Sequence, residues 1–120
     1  MSIRRRIKVE AGRKAVNDWQ ATDTPDRTAL ATAVRYALEE LATRAPGNTV
    51  EVRVPPFGVT QCIAGPTHTR GTPPNVVETD ADTWLALVTG ALTWAQAVDQ
   101  ARVSATGTRS DLGEHLPLWP

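Results

Sequence analysis

Two histidines, one cysteine and a short acidic run are the residues of this 120-residue chain whose types could do chemistry. His68 and His115 are its only side chains that ordinarily change charge near neutral pH, so an imidazole-based acid–base or metal scheme must use one of them. Cys62 with His68 would make a nucleophile and its base if a hairpin and the following loop brought them together. Cys62, however, stands in Val59-Thr60-Gln61-Cys62-Ile63-Ala64, where a thiol serves as a small buried hydrophobe, and that reading is preferred. His115, beside Glu114 near the end of a short expected helix, complements the helix dipole rather than reacting.

Glu78, Asp80 and Asp82 place three carboxylates at alternate positions. A calcium loop needs a glycine at its sharp turn and a later bidentate Glu, and Trp84-Leu85 stand there instead. Acidic groups at a helix start are explained by the macrodipole alone. Gly65 and Gly71 are not followed by the Lys-Ser/Thr of a phosphate loop. The stretch Thr67-His68-Thr69-Arg70-Gly71 offers Arg70 to an anion, but an ordinary solvated loop is expected. No cofactor, no metal and no enzymatic step are expected.

Composition sets the frame for these residues. With 41% hydrophobic and 22% charged residues, the chain reads as one globular domain over residues 1–120. A chain of this length buries roughly two-thirds of its unfolded surface. It has no run of about 18 apolar residues, so no transmembrane helix is expected. No apolar stretch follows Arg4, Arg5 and Arg6, so no secretory leader is expected and a cytoplasmic location is. A single cysteine allows no internal disulfide. The formal charge is zero, yet Arg4, Arg5, Arg6, Lys8, Arg13 and Lys14 crowd the first twenty residues. That cluster lacks interleaved aromatics for base stacking, so no nucleic-acid partner is expected. Residues 1–9 read as a flexible basic terminus, with a transient membrane-surface contact left open.

Periodicity supplies the elements that must position these groups. A short amphipathic helix is expected from about 10 to 20, burying Ala15, Val16 and Trp19. A second starts with Thr24 as N-cap, Pro25 in its first position and Asp26 near the positive dipole end. Leu30, Val34, Ala37, Leu38 and Leu41 form its inward face; Arg35 pairs with Glu39 and Glu40 with Arg44 on the outer one. Val50, Val52 and Val54 alternate with Glu51 and Arg53 as a half-buried strand. Pro55-Pro56-Phe57-Gly58 turns the chain into a second strand over 59–64, and residues 75–79 read as a third. Asp80 or Thr79 caps a helix that Gly90 closes. Thr93 and Gln96 form a capping box for another helix, with Ala97, Val98 and Ala101 inward. A strand over 103–107 and a short helix over 110–115 complete an α+β order, a largely antiparallel sheet with helices packed on it.

The aromatic inventory is unusual: four Trp against one Phe and one Tyr. Trp84, Trp94 and Trp119 are interleaved with leucines in the last third of the chain. Core filling explains most of them. Leu116-Pro117-Leu118-Trp119 is too apolar to be left in water, so it packs back on the domain or lies across an apolar opening.

At these residues the chain resembles a known family. Asn75-Val76-Val77-Glu78-Thr79-Asp80-Ala81-Asp82-Thr83-Trp84-Leu85-Ala86-Leu87-Val88-Thr89-Gly90 is similar to the strand and acid-capped helix of the sterol-carrier-protein superfamily. Ala91 to Gly107 resembles that family's next helix and strand, and the segment from Ser110 to Leu118 its terminal helix. Upstream, Arg44-Ala45-Pro46-Gly47-Asn48 and Val50-Glu51-Val52-Arg53-Val54-Pro55-Pro56-Phe57-Gly58 resemble its bacterial stand-alone branch. The resemblance implies a mixed, largely antiparallel five-stranded sheet covered by helices, with a fifth strand near 65–70. It also implies an apolar tunnel for a sterol, fatty acyl chain or other lipid. Its lining would be Trp84, Leu85, Val88, Trp94, Val98, Leu112, Leu116 and Trp119, with Phe57 and Cys62 added, and Arg53 or Arg70 would meet a head group.

Burying a 16-carbon chain releases on the order of 12 kcal/mol at about 0.8 kcal/mol per methylene. Association costs of about 4–15 kcal/mol oppose it, leaving micromolar binding within reach. The expected function is therefore non-enzymatic binding or transfer of an apolar ligand, by a monomer or homodimer. The competing reading is an interaction or scaffold module with a solid core. Sterol-carrier-like domains also follow metal-binding bundles in thiol-dependent isomerases, but this sequence shows no such bundle, and isomerase activity is not expected.

Overall fold

A computed structural model describes residues 6–66 and 75–120. Helices α1 (Val9–Ala21) and α2 (Arg27–Arg44) lead into strands β1 (Val50–Val54), β2 (Gly58–Cys62) and β3 (Asn75–Thr79). Helices α3 (Ala81–Thr89) and α4 (Trp94–Asp99) and strand β4 (Val103–Thr106) follow. The sheet order is β2-β1-β3-β4. Strand β1 runs antiparallel to β2 and parallel to β3, while β4 is antiparallel to β3. The α+β class and the mixed, largely antiparallel sheet are as expected.

Strand alternation creates the core. Val50, Val52, Val54 and Val77 are buried against Val34 and Leu41 of α2 and Trp84, Leu85 and Val88 of α3. On the opposite face Arg53, Gln61 and Glu78 stand exposed, so among the described residues the sheet is packed on one side. Two tryptophan N–H groups tie the helices together. Trp84 Nε1 donates to Val34 O at 3.3 Å, and Trp19 Nε1 donates to Asp82 Oδ1 at 3.0 Å.

Among the described residues the sheet has four strands, not five. The chain leaves β2 because Ile63 takes a left-handed φ of 71°, which ends an extended run. Ile63 is then bonded to the α2–β1 connection, its N–H to Ala45 O at 2.6 Å and its carbonyl from Thr49 N at 3.1 Å. Gly65 and Pro66 follow without strand pairing, and the expected strand's remaining positions lie outside the described residues.

Three local expectations also change. Helix α2 starts after Asp26, which holds the N-cap position without a side-chain capping bond, rather than after Thr24, whose N–H bonds Thr22 Oγ1 at 3.2 Å in a turn. Its Arg35 does not pair with Glu39, whose carboxylate instead accepts the backbone N–H groups of Arg6 and Ile7. Residues 6 and 7 thus meet α2 through their backbone N–H groups. Finally, residues 110–115 form turns rather than a helix. Gly113 lies mid-segment, and so short a helix would not sustain itself.

The caps of the last two helices are as the sequence implies. Asp80 accepts Thr83 N–H at 2.8 Å, and Gly90 closes α3 at φ 84°, where a side chain would be strained. Thr93 and Gln96 exchange hydrogen bonds of 3.0 and 3.1 Å. Helix α4 stops at Asp99, so of its three expected inward residues only Ala97 is buried; Val98 is 50% exposed and Ala101 turns outward at φ 56°.

Candidate functional site

The C-terminal segment, residues 116–120, shapes a largely apolar opening. The end of α3 leaves carbonyls without helical partners. Val88 O accepts both Leu118 N–H at 3.0 Å and Trp119 N–H at 2.9 Å. Arg44, paired with Glu40 Oε2 at 2.8 Å, also donates to Leu118 O. Leu118 is buried, and the Trp119 ring stacks on Tyr36 with centroids 5.4 Å apart and planes 5° from parallel. Tyr36 is fixed from its other side by α1: a Cβ on Gly12 would lie 2.2 Å from the Tyr36 ring.

On one side of this segment lies a cleft of about 480 Å³ lined by Leu92, Trp94, Leu116 and Pro117, with Thr93 and Asp111 at its polar margin. On the other lies a cleft of about 330 Å³ bounded by Val16, Tyr36 and Trp119. Thr89 and Pro120 line both, so the segment is their common wall. Both volumes fall in the range of small-molecule sites.

The structure divides the residues singled out from sequence. Trp94, Leu116 and Trp119 come together at these two clefts. Trp84, Leu85, Val88 and Leu112 are fully buried in the main core and line neither. Cys62 is also in that core, and burial pushes its thiol up to about 12. Such a group stays protonated at neutral pH and is a poor nucleophile. Phe57 sits on the β1–β2 turn against α2, and Val98 faces solvent on α4. Arg53 lies on the open sheet face, hydrogen-bonded to Glu51 at 2.7 Å; that bond, then the charges of Glu51 and Glu78, raise its pKa further. Arg70 and His68 lie outside the described residues.

The acidic run is absorbed structurally. Asp80 caps α3, Asp82 accepts the Trp19 indole N–H, and Glu78 points to solvent from β3. Among the described residues no helix is long and apolar enough to cross a membrane. Sequence reasoning missed Leu92, Pro117 and Tyr36 at the clefts. Pro117 belonged to the apolar tail already noted, whereas Tyr36 had no signal beyond Gly12, an unexplained glycine within a helical pattern.

A family model described as bacterial SCP ortholog matches residues 26–118, the greater part of the chain. No curated protein is similar enough to match it.

Proposed function

The chain belongs to the bacterial branch of the sterol-carrier-protein family, and on that premise we propose that it binds a lipid or other apolar molecule without transforming it. The family points to lipid binding or transfer in general; the ligand's identity and seat are this reading's own. The apolar part would enter the 480 Å³ cleft between α4 and the C-terminal segment, against Leu92, Trp94 and Leu116. That cleft is the observation that carries the reading. Lifting residues 116–120 would join it to the 330 Å³ cleft across their common wall. The segment is tied down by bonds to Val88 O and Arg44, by the Tyr36 ring and by the buried Leu118 side chain, so lifting it would expose Leu118. The raised pKa of the Cys62 thiol argues against that side chain as a nucleophile.

The dense packing of Trp84, Leu85, Val88 and Leu112 favours a second reading, an interaction module with a filled interior. Titration with dodecanol, or with a fluorescent sterol, separates the two. The expected result is saturable binding in the micromolar range that Trp94→Asp weakens at least tenfold. Unchanged binding by Trp94→Asp, or none by the native protein, removes the carrier reading; sedimentation as a dimer that takes up no ligand favours the module.

A further inference from the structure

Strand β4 ends the sheet: among the described residues it pairs with β3 and has no neighbour on its other side. In an antiparallel edge strand, alternate residues turn their N–H and C=O groups outward, where another extended chain can bond them. Folds commonly block such an edge with a charge, a proline or a bulge. Val103, Ser104, Ala105 and Thr106 include no charged residue and no proline, and their register against β3 runs without a bulge. The apolar layer also stops uncovered there. Ala105 stands opposite Val77 on the helix side of the sheet; Val77 is buried, whereas Ala105 is exposed. The turn into β4 is held by Arg102 N–H to Ala97 O at 2.9 Å and Ala101 N–H to Val98 O at 3.1 Å. It keeps the half-exposed Val98 near the start of the strand.

Charge selects the occupant. Arg102 and Arg109 stand exposed at the two ends of β4, and no acid lies between them in the chain. Arg102 Nε donates to Thr83 Oγ1 at 3.2 Å, and the Arg109 backbone N–H donates to Asn75 Oδ1 at 3.0 Å, so both positions are fixed. Among the described residues neither guanidinium makes an ion pair. The acid beside the strand, Glu78 opposite Ser104, lies in register with Arg53 on its other side. A second copy of β4 laid antiparallel on the first would bring basic ends together, whereas an acidic strand would meet opposite charge at both ends.

We propose that β4 docks an acidic extended segment of another protein as an added strand. Backbone hydrogen bonds continue the sheet, alternate apolar side chains of the segment rest beside Ala105 and Val98, and its carboxylates meet Arg102 and Arg109. This docking needs no cavity and holds whether or not the protein carries a lipid. The guanidiniums are exposed, so binding weakens as salt screens them.

Amide NMR titration of the full chain with the capped peptide Glu-Glu-Val-Thr-Val-Thr-Glu-Glu tests it. The expected result is saturable binding with a Kd on the order of 100 μM and the largest shifts at residues 103–106. Arg109→Glu should weaken it several-fold, as should raising salt from 20 to 200 mM. Only the backbone of Arg109 is bonded in the fold, so this variant should keep the native spectrum. Two versions of the peptide, N-methylated at opposite sets of alternate residues, separate strand pairing from charge attraction: one of the two should bind about tenfold more weakly than the parent. A peptide with lysines in place of the glutamates should not bind. The proposal fails if the acidic peptide does not bind, if its shifts centre elsewhere, or if the lysine peptide or both N-methylated versions bind as tightly as the parent. It also fails if the β4 shifts follow protein concentration instead, which would assign the edge to a second copy.

Discussion

At Cys62, burial strips water from the thiol and penalises the thiolate, raising its pKa from an ordinary 9.0 to about 12. The unfolded chain therefore releases this proton first as pH rises, and stability falls between pH 9 and 12 at about 1.4 kcal/mol per unit. Urea unfolding at pH 8 and pH 10 should show the native protein's margin over Cys62→Ala shrinking by about that amount; a constant margin would mean that the thiol ionises equally in both states. Gly12 is the opposite case, a position that needs the absence of a side chain. Tyr36 occupies the space its Cβ would fill, so Gly12→Ala should cost about 1–3 kcal/mol despite alanine's better helix propensity, read from the same unfolding curves. Cys62 was legible from its strand context. Gly12 was not, because its partner lies a helix away.

The elements were the most legible level where local chemistry decides them. Asp80, Gly90, Thr93 and Gln96 do what their spacing implies, since a cap involves only residues within one turn. Thr93→Ala should accordingly cost about 1 kcal/mol, and the loss should show first as faster amide exchange in α4. The alternation of Val50, Val52 and Val54 likewise gave β1 its inward face. Prediction failed where local preferences were nearly balanced. Residues 110–115 hold one helix-compatible leucine, Leu112, but also a central glycine, and their turn buries Leu112 rather than extending a helix. The end of β2 was set by Ile63 bonding to the α2–β1 connection, a contact absent from any local pattern.

Taken together, the described residues form a four-stranded sheet with helices packed on one face and an apolar C-terminal segment closing the gap beside α3. Trp119 secures that segment through Tyr36 and the nearby Arg44 guanidinium, 5.9 Å from its ring. Trp119→Ala should lower stability by about 1–3 kcal/mol. If the carrier reading holds, the variant should also exchange dodecanol faster in stopped-flow mixing, since the shared wall is looser; slower or unaltered exchange would mean the segment does not gate the cleft. By itself the chain's order of residues determined the α+β class, most element boundaries, the helix caps and the apolar character of the tail, all properties written in spacings of a few positions. Tertiary structure alone decided which tryptophans are core and which border a cleft. It also decided that the strand between Arg102 and Arg109 lies at the edge of the sheet. Burial and convergence depend on long-range packing, and no local period encodes where a distant surface will come to rest.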